Sequence, residues 1–204
     1  MRYVGIAILA LIVIVVIWAL GSVNNIPKYE EDAHAKWAQV LNDYQRRADL
    51  IPNLVQTVKG AANFEQSTLT AVVEARAKVG TTQLPSNILT NPEAMKQFDA
   101  NQGALSSALS RLLVVSEQYP QLKATEGFQT LQAQLEGTEN RIAVARRDFI
   151  EAVRVYNTEL KIFPGSIWHA ILYGDREPMQ QLQVEPQKMD VPQVDFGTNG
   201  TNGN

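Results

Sequence analysis

Glu31 and His34 are the residues of this chain whose types and spacing come closest to metal chemistry. They lie three positions apart in "EDAH", which is the i, i+3 spacing of the Glu and His ligands in di-iron helical bundles. Such a site needs a second pair of this kind, and the other histidine of the chain, His169, follows "SIW". The pair therefore indicates a solvated helix start, and no metal ligand or catalytic residue is assigned.

The composition of the 204-residue chain narrows the possible functions further. The chain has no cysteine, which excludes disulfides, thiolate zinc sites and lipid attachment through a thiol. It has 18 Lys and Arg against 21 Asp and Glu, so its formal charge of -3 gives no electrostatic footprint for nucleic acid. No nucleophile–base pair and no phosphate-binding glycine pattern is recognisable. We therefore expect a non-enzymatic protein without a cofactor, a small-molecule substrate or a nucleic-acid partner.

An apolar run, "VGIAILALIVIVVIWAL", occupies residues 4–20 and contains no charged side chain. With its neighbours it reaches the lower end of what spans a bilayer core of ~30 Å, and it exceeds the ~7–15 apolar residues of a signal peptide. We therefore expect an uncleaved signal-anchor over residues 1–24, with a cleaved signal peptide as the alternative. The short flank containing Arg2 favours a signal-anchor that starts in the cytoplasm, with the rest of the chain on the extracytoplasmic side. The predicted anchor residues are Val4, Ile8, Ile12, Val16 and Trp18.

Apolar positions then recur at alternating steps of three and four residues, which indicates long helices that pack along one stripe. The stripes cover about 29–79, 92–119 and 125–163. The first passes through Pro52 without losing phase, so we predict one rod with a kink; the alternative is a second helix that begins at Pro52. Short connections favour antiparallel neighbours. The predicted fold class is all-α: a transmembrane helix followed by an up-and-down bundle of long antiparallel helices over residues 28–163.

Two charged side chains, Arg47 and Glu65, occupy stripe positions where apolar residues are expected. Aligning the three stripes across their loops sets Glu65 level with Arg141, and a carboxylate within a seam is costly to bury unless it is paired. We therefore predict an ion pair between Glu65 and Arg141; the alternative is that Glu65 reaches solvent at the edge of the seam. Three polar side chains are candidates to add hydrogen bonds: Ser106, Ser107 and Asn140.

Residues 164–196 combine a short apolar segment with an extended, proline-containing one. A continuous first rod places the apolar segment roughly 75 Å from the anchor at 1.5 Å per residue. We therefore expect it to pack on the bundle tip or against a partner or sister subunit, and a membrane contact requires the chain to fold back near Pro52. "VPQVDF" at 191–196 is expected to lie along the bundle, and 197–204 to be disordered. The candidate patch consists of Phe163, Ile167, Trp168, Ile171 and Leu172.

Three stretches of the sequence are similar to a known family. They are "RRADLIPNLVQTVKGAANFEQSTLTAVVEARA" at 46–77, "GALSSALSRLLVVSEQYPQLKA" at 103–124 and "TENRIAVARRDFIEAVRVYNTELKIFPGSI" at 138–167. Together with the closing "VPQVDF", they make the chain resemble the LemA family of bacterial membrane-anchored helical proteins from about residue 29 to 196. The resemblance implies an up-and-down helical bundle on a single span, in a family without an established activity. It supplies no catalytic residues.

The LemA resemblance also bears on anchoring and partners. Some relatives carry a lipid-attachment cysteine near the end of the first apolar segment; "LGSVNN" has none here, so the intact helix is expected to anchor this chain. Family members often accompany membrane metalloproteases or a TPM-domain protein. Two functions follow: a self-associating, homo-oligomeric scaffold that organises or shapes an envelope membrane, or an adaptor whose distal end binds a membrane protease or another envelope protein.

Overall fold

The computed structural model describes residues 2–61, 64–81 and 84–183. Over these residues the chain is helical and has no strand, which confirms the all-α class. The helices in chain order are α1 (Arg2–Ser22), α2 (Asn25–Lys59), α3 (Gln66–Thr81), α4 (Pro92–Ser116), α5 (Pro120–Lys123), α6 (Glu126–Glu159) and α7 (Gly165–Leu172).

Helices α2 and α6 pair along their whole lengths and form the frame of the bundle. Asn25, at the start of α2, donates to Glu159 at the end of α6 over 3.3 Å. Near the middle of both helices, Arg47 and Glu139 form an ion pair of 2.7 Å. Because residue numbers rise along one helix as they fall along the other, the two helices are antiparallel. At 1.5 Å per residue, the 35 residues of α2 make this frame about 52 Å long.

Side-chain caps fix where α4 and α6 begin. The Asn91 side chain accepts a hydrogen bond from the backbone N–H of Ala94 at 3.1 Å, and Pro92 follows it at the first helical position. The hydroxyl of Thr125 accepts in the same way from the backbone N–H of Phe128 at 3.4 Å. These local signals are visible in the sequence, and both helices have bounds close to those predicted.

The chain reverses between α2 and α3, where the sequence indicated one continuous rod. Pro52 lies inside α2, which continues to Lys59, and α3 begins only at Gln66. In α3, the Nε of Arg76 donates to the backbone carbonyl of Ala48 at 3.0 Å, so α3 runs back along α2. The predicted rod over 29–79 is therefore two antiparallel helices.

This reversal adds one pass to the bundle and decides where the chain ends up. Relative to the end of α1, α2 leads away, α3 returns, α4 leads away again and α6 returns. Four long passes bring the end of α6 back to the level of Asn25, as the contact between Asn25 and Glu159 records. Three passes would have left it at the opposite end of the molecule.

The core of the bundle consists of two hydrophobic clusters in series. The cluster nearer α1 includes Ile26, Trp37, Val40, Phe98, Phe149 and Tyr156. The cluster at the far end includes Ile51, Leu54, Val58, Leu105, Leu112 and Phe128. Three buried polar residues mark the boundary, one on each of α2, α4 and α6: Arg47, Gln102 and Thr138.

An extended segment after α7 covers one side of the bundle. The amide side chain of Asn157 donates to the carbonyl of Met179 and accepts from its N–H, both at 2.8 Å. Met179 and Leu182 are buried in the cluster nearer α1, so this segment completes the core there. The predicted packing of residues 191–196 and the predicted disorder of 197–204 lie outside the described residues.

Helix α1 comprises 21 residues and precedes the bundle. Within the ranges that the structure describes, no helix meets the combined length and apolarity that a membrane crossing requires. Of the predicted anchor residues, Val4 is exposed. The backbone of the other four is helical, and their side chains lie outside the described part of the chain: Ile8, Ile12, Val16 and Trp18.

Candidate functional site

A buried arginine joins three helices at the boundary between the two core clusters. Arg47 of α2 is only 1% exposed. Its Nη1 donates to Glu139 at 2.7 Å and to the Ser106 hydroxyl at 2.6 Å. Its Nη2 donates to the side chain of Gln102 at 2.6 Å, and the guanidinium lies 5.0 Å from the centre of the Tyr44 ring. The Nε of Arg47 is buried without a partner. One cation therefore aligns α2, α4 and α6.

A second arginine extends this polar cluster toward the C-terminal segment. Arg146 donates to Asp99 at 2.6 Å, to the Tyr44 hydroxyl at 2.7 Å and to the carbonyl of Gln183 at 2.7 Å. Burial alone would lower the pKa of Arg146, but the hydrogen bonds to Asp99 and Tyr44 outweigh it and raise the pKa above its ordinary value. Burial also raises the pKa of Tyr44, against the lowering by Arg146. Arg146 is thus charged and Tyr44 neutral under physiological conditions.

Both arginines line a groove of about 380 Å³, together with Arg147 and Ile150. The guanidinium groups of Arg47 and Arg146 already face carboxylates of the same chain, so the cluster resembles an internal ion-pair network more than an open anion site. A buried ion pair adds little net stability because desolvation opposes the attraction, but it penalises any register that separates the two charges. We interpret the cluster as the element that fixes the register of the bundle.

The second charged stripe residue, Glu65, has a different partner from the predicted one. It forms an ion pair of 3.4 Å with Arg111 and accepts a hydrogen bond from Ser67. The Ser67 hydrogen bond, with a smaller contribution from Arg111, lowers the pKa of Glu65. Arg141 lies elsewhere, in a groove shared with Asp43. Because the chain reverses just before α3, Glu65 is at the far end of the bundle and Arg141 near its middle, so Arg111 replaces the predicted Arg141.

Sequence reasoning singled out Arg47 as an unusual stripe residue but missed what surrounds it. Gln102, the buried partner on α4, was not among the predicted side chains. Glu139 was overlooked because it lies beside the stripe and is half exposed. The available signal was Arg47 itself, since a cation in an apolar seam requires a carboxylate on the facing helix.

The predicted apolar patch lies beside α1 and not at the distal tip. Trp168 of α7 donates its indole N–H to the hydroxyl of Ser22, the last residue of α1, at 2.9 Å. Gly165 packs so closely on the end of α6 that a Cβ there would lie 2.1 Å from the carbonyl oxygen of Glu159. Trp168 does pack on the bundle, but the expected position roughly 75 Å from the anchor at 1.5 Å per residue was wrong, because it assumed an odd number of passes.

Helix α7 has an inner and an outer face. Trp168 is partly buried and packs on the core cluster nearer α1. The outer face follows the i, i+4 spacing that places side chains on one side of a helix. Its exposed apolar residues, with two from the preceding turn, are Ile162, Phe163, Ile167, Ile171 and Leu172.

Neither histidine belongs to a metal-ligating group among the described residues. Glu31 and His34 are both exposed on α2. His169 donates from its Nε2 to the carbonyl of Arg176 at 2.9 Å. In the part of the chain that the structure describes, no group of three or more His, Cys, Asp or Glu residues is placed to hold a metal ion.

These features define a helical-bundle protein whose passes are aligned by a buried arginine network. The sequence model of the LemA family matches residues 36–196, and the chain belongs to the LemA family, as its motifs indicated.

Curated relatives include the magnetosome protein MamQ 2 of Paramagnetospirillum magneticum, which is 27% identical over 69% of this chain and 58% of its own length. The magnetosome protein MamQ of Magnetospirillum gryphiswaldense is 27% identical over 66% of this chain and 55% of its own. Protein LemA of Metamycoplasma hominis is 28% identical over 71% of this chain and 62% of its own length. The chain thus spans less than two thirds of the length of these relatives.

Proposed function

We propose that this chain is a membrane-anchored, non-enzymatic scaffold that self-associates to organise an envelope membrane. The single observation that carries the proposal is the surface of α1, where the large exposed side chains that the structure describes are hydrophobic. They include Tyr3, Val4, Ile6, Leu9, Leu11, Val13, Ile14 and Val15. Transferring such side chains out of water is favourable by roughly 1.5–3 kcal/mol each, so a solvated α1 would be strongly disfavoured. Its 21 residues are about 31 Å long, close to a bilayer core.

In this proposal α1 crosses a bacterial inner membrane once, and the bundle extends from the extracytoplasmic side. The pairing of α2 with α6 supports the scaffold role, because a frame about 52 Å long is stiff and carries a surface well away from the lipid. A second copy of the chain is the expected partner.

The outward face of α4 supports self-association. Val114 is 68% exposed there. Two and three turns earlier lie Ser107 and Ala104, both exposed and small, so a neighbouring helix can approach this face closely. Covering Val114 with a second copy would remove apolar surface from water with little steric obstruction.

The absence of cysteine makes this proposal directly testable, because any introduced cysteine is the sole thiol. We expect Ser107→Cys to form a disulfide-linked dimer on mild oxidation of native membranes. The matched control is Ala133→Cys, at an exposed position on α6, which should stay monomeric. A monomeric pattern for both variants, together with a monomeric mass of the detergent-purified protein, would exclude self-association. Extraction of the protein by alkaline carbonate would exclude the anchor.

An adaptor function is the second candidate, and a groove at the far end of the bundle favours it. The groove has a volume of about 630 Å³ and lies between the end of α2, at Gly60 and Ala61, and the segment around Tyr119 and Leu122. A membrane protease or other envelope protein could insert a side chain there. Ala61→Trp, which fills the groove, should abolish co-purification of such a partner and leave disulfide formation by Ser107→Cys intact; co-purification that survives this change excludes the groove as the contact.

A further inference from the structure

We propose that α7 is a membrane-surface helix, so that the bundle contacts through α7 the same bilayer that holds α1. The occupant of its apolar outer face is the boundary between the lipid headgroups and the acyl chains. This inference rests on the proposed membrane anchor and adds a second contact, which fixes how the bundle is oriented on the membrane.

Helix α7 lies beside the end of α1. The indole N–H of Trp168 is bonded to Ser22, where α1 ends. Helix α7 has 8 residues and is therefore about 12 Å long. The headgroup region on each side of a bilayer is about 5–8 Å thick. Helix α7 is short and is joined to the end of the proposed membrane span. It therefore reaches the lipid boundary without any movement of the bundle.

The segment that would enter this boundary has no formally charged residue. The stretch "IFPGSIWHAILYG" at 162–174 contains no Asp, Glu, Lys or Arg. Its one ionisable imidazole, His169, already donates to the carbonyl of Arg176. No charge therefore has to be dehydrated when the outer face enters lipid, which is the main cost of such a contact. The indole of Trp168 is also a side chain that prefers the membrane interface.

Helix α7 is held rigidly, with its exposed apolar side chains facing outward. The backbone of Gly165 packs on the carbonyl of Glu159, and Trp168 packs on the core. Helix α7 therefore cannot rotate to bury Ile171 against the bundle, although this side chain is 68% exposed. Trp168 of α7 is bonded to Ser22, the last residue of α1, so a bilayer that surrounds α1 lies beside α7 as well.

The segment contains no cationic cluster, so the contact depends on apolar insertion and not on attraction to anionic lipid. Binding should accordingly be the same in uncharged phosphatidylcholine as in mixtures with anionic lipid, and it should not weaken at high salt.

The test uses the full-length chain reconstituted in phosphatidylcholine vesicles, with one environment-sensitive fluorophore on a single introduced cysteine. Spin-labelled lipids then report depth by quenching. We expect a label at Ile171→Cys to be quenched by lipids labelled near the headgroup, several-fold more than a label at the exposed α6 position Ala133→Cys. A label at Val13→Cys, within α1, should be quenched by lipids labelled deep in the acyl chain.

These labels separate failure of the inference from failure of the anchor. Quenching at Val13→Cys without quenching at Ile171→Cys would overturn the membrane contact of α7 and leave the anchor standing. Absence of quenching at Val13→Cys would overturn the anchor and, with it, this inference. Quenching between labels on two copies at position 171, without lipid quenching, would assign the face to a second copy and would also overturn the inference.

A substitution on the same face provides an independent readout. Ile167→Asp places a charge in the proposed contact and should lower the lipid quenching of the label at 171 to the level of the control position. The matched change Ala133→Asp, on α6, should leave that quenching unchanged. Equal quenching with Ile167→Asp and Ala133→Asp, at unchanged helix content by circular dichroism, would contradict the proposal.

Discussion

A hydrogen bond from α3 to α2 uses a backbone acceptor that Pro52 leaves without a helical partner. A proline has no backbone N–H, so the carbonyl of Ala48, four residues earlier in α2, receives no helical hydrogen bond from position 52. Arg76 of α3 donates to this carbonyl at 3.0 Å. Ala48 is only 9% exposed, so water can replace Arg76 poorly. We therefore expect Arg76→Ala to lower the free energy of unfolding by about 1–3 kcal/mol, as for other hydrogen bonds to charged donors.

Pro52 leaves the carbonyl of Ala48 without its helical hydrogen bond, and Arg76 supplies the replacement. Positions 52 and 76 should therefore be energetically coupled. Pro52→Ala supplies an N–H that satisfies the carbonyl of Ala48 within α2. In that background Arg76→Ala no longer leaves an unpaired acceptor and loses only the packing of its side chain. We expect it to cost about 1 kcal/mol less than in the natural chain.

Urea unfolding of the four full-length variants in detergent, followed by circular dichroism, measures this coupling as a double-mutant cycle. Arg154→Ala, on the exposed face of α6, is the control for loss of an arginine, and its effect should be small because its ion pair with Glu151 is open to solvent. Effects of Arg76→Ala and Pro52→Ala on the free energy of unfolding that add to within about 0.3 kcal/mol would contradict this coupling. That result would mean that Ala48 finds another donor once Arg76 is removed.

Three further predictions concern the buried network and the two ends of the bundle. Arg47→Ala should destabilise the full-length chain by about 1–3 kcal/mol in urea unfolding, because it leaves the buried side chain of Gln102 without its partner, and the double change Arg47→Leu with Gln102→Leu should restore most of this loss. Gly165→Ala should displace α7, because the added Cβ would lie 2.1 Å from a carbonyl oxygen of α6, and protease cleavage after α6 should become faster. Ser67→Ala should raise the pKa of Glu65 toward its ordinary value, measured by NMR titration of the carboxyl group.

Each of these three predictions has an outcome that would contradict it. A free energy of unfolding for Arg47→Ala within about 1 kcal/mol of that of the natural chain would show that the network is not desolvated, since unpaired buried polar groups cost about that much or more. Unchanged proteolysis of Gly165→Ala would mean that α7 adapts to the close approach. The lowered pKa of Glu65 stabilises the folded state above its unfolded-state pKa, and this contribution is lost as the pH falls through the folded-state pKa. An unchanged pKa of Glu65 in Ser67→Ala, measured by NMR titration, would exclude the Ser67 hydrogen bond as the main cause of the lowered pKa.

The class of the fold and the local limits of several helices can be predicted from the sequence alone. Asn91 and Thr125 are capping residues, and a cap acts on the backbone N–H groups of the next few residues, so it can be read without knowing the rest of the structure. The all-α class followed from the repeating apolar stripes in the same way. Arg47, a charged residue within the apolar stripe of α2, also indicated a polar site in the core.

The tertiary structure decided how many times the chain crosses the bundle, and with it the neighbours of each residue. Apolar periodicity is a local signal, and it kept its phase across the turn between α2 and α3 because that turn is about as long as one repeat. The extra reversal moved Glu65 to the far end of the bundle and brought Trp168 back to Ser22. Such neighbours depend on the whole path of the chain, and no pattern within a single helix records them.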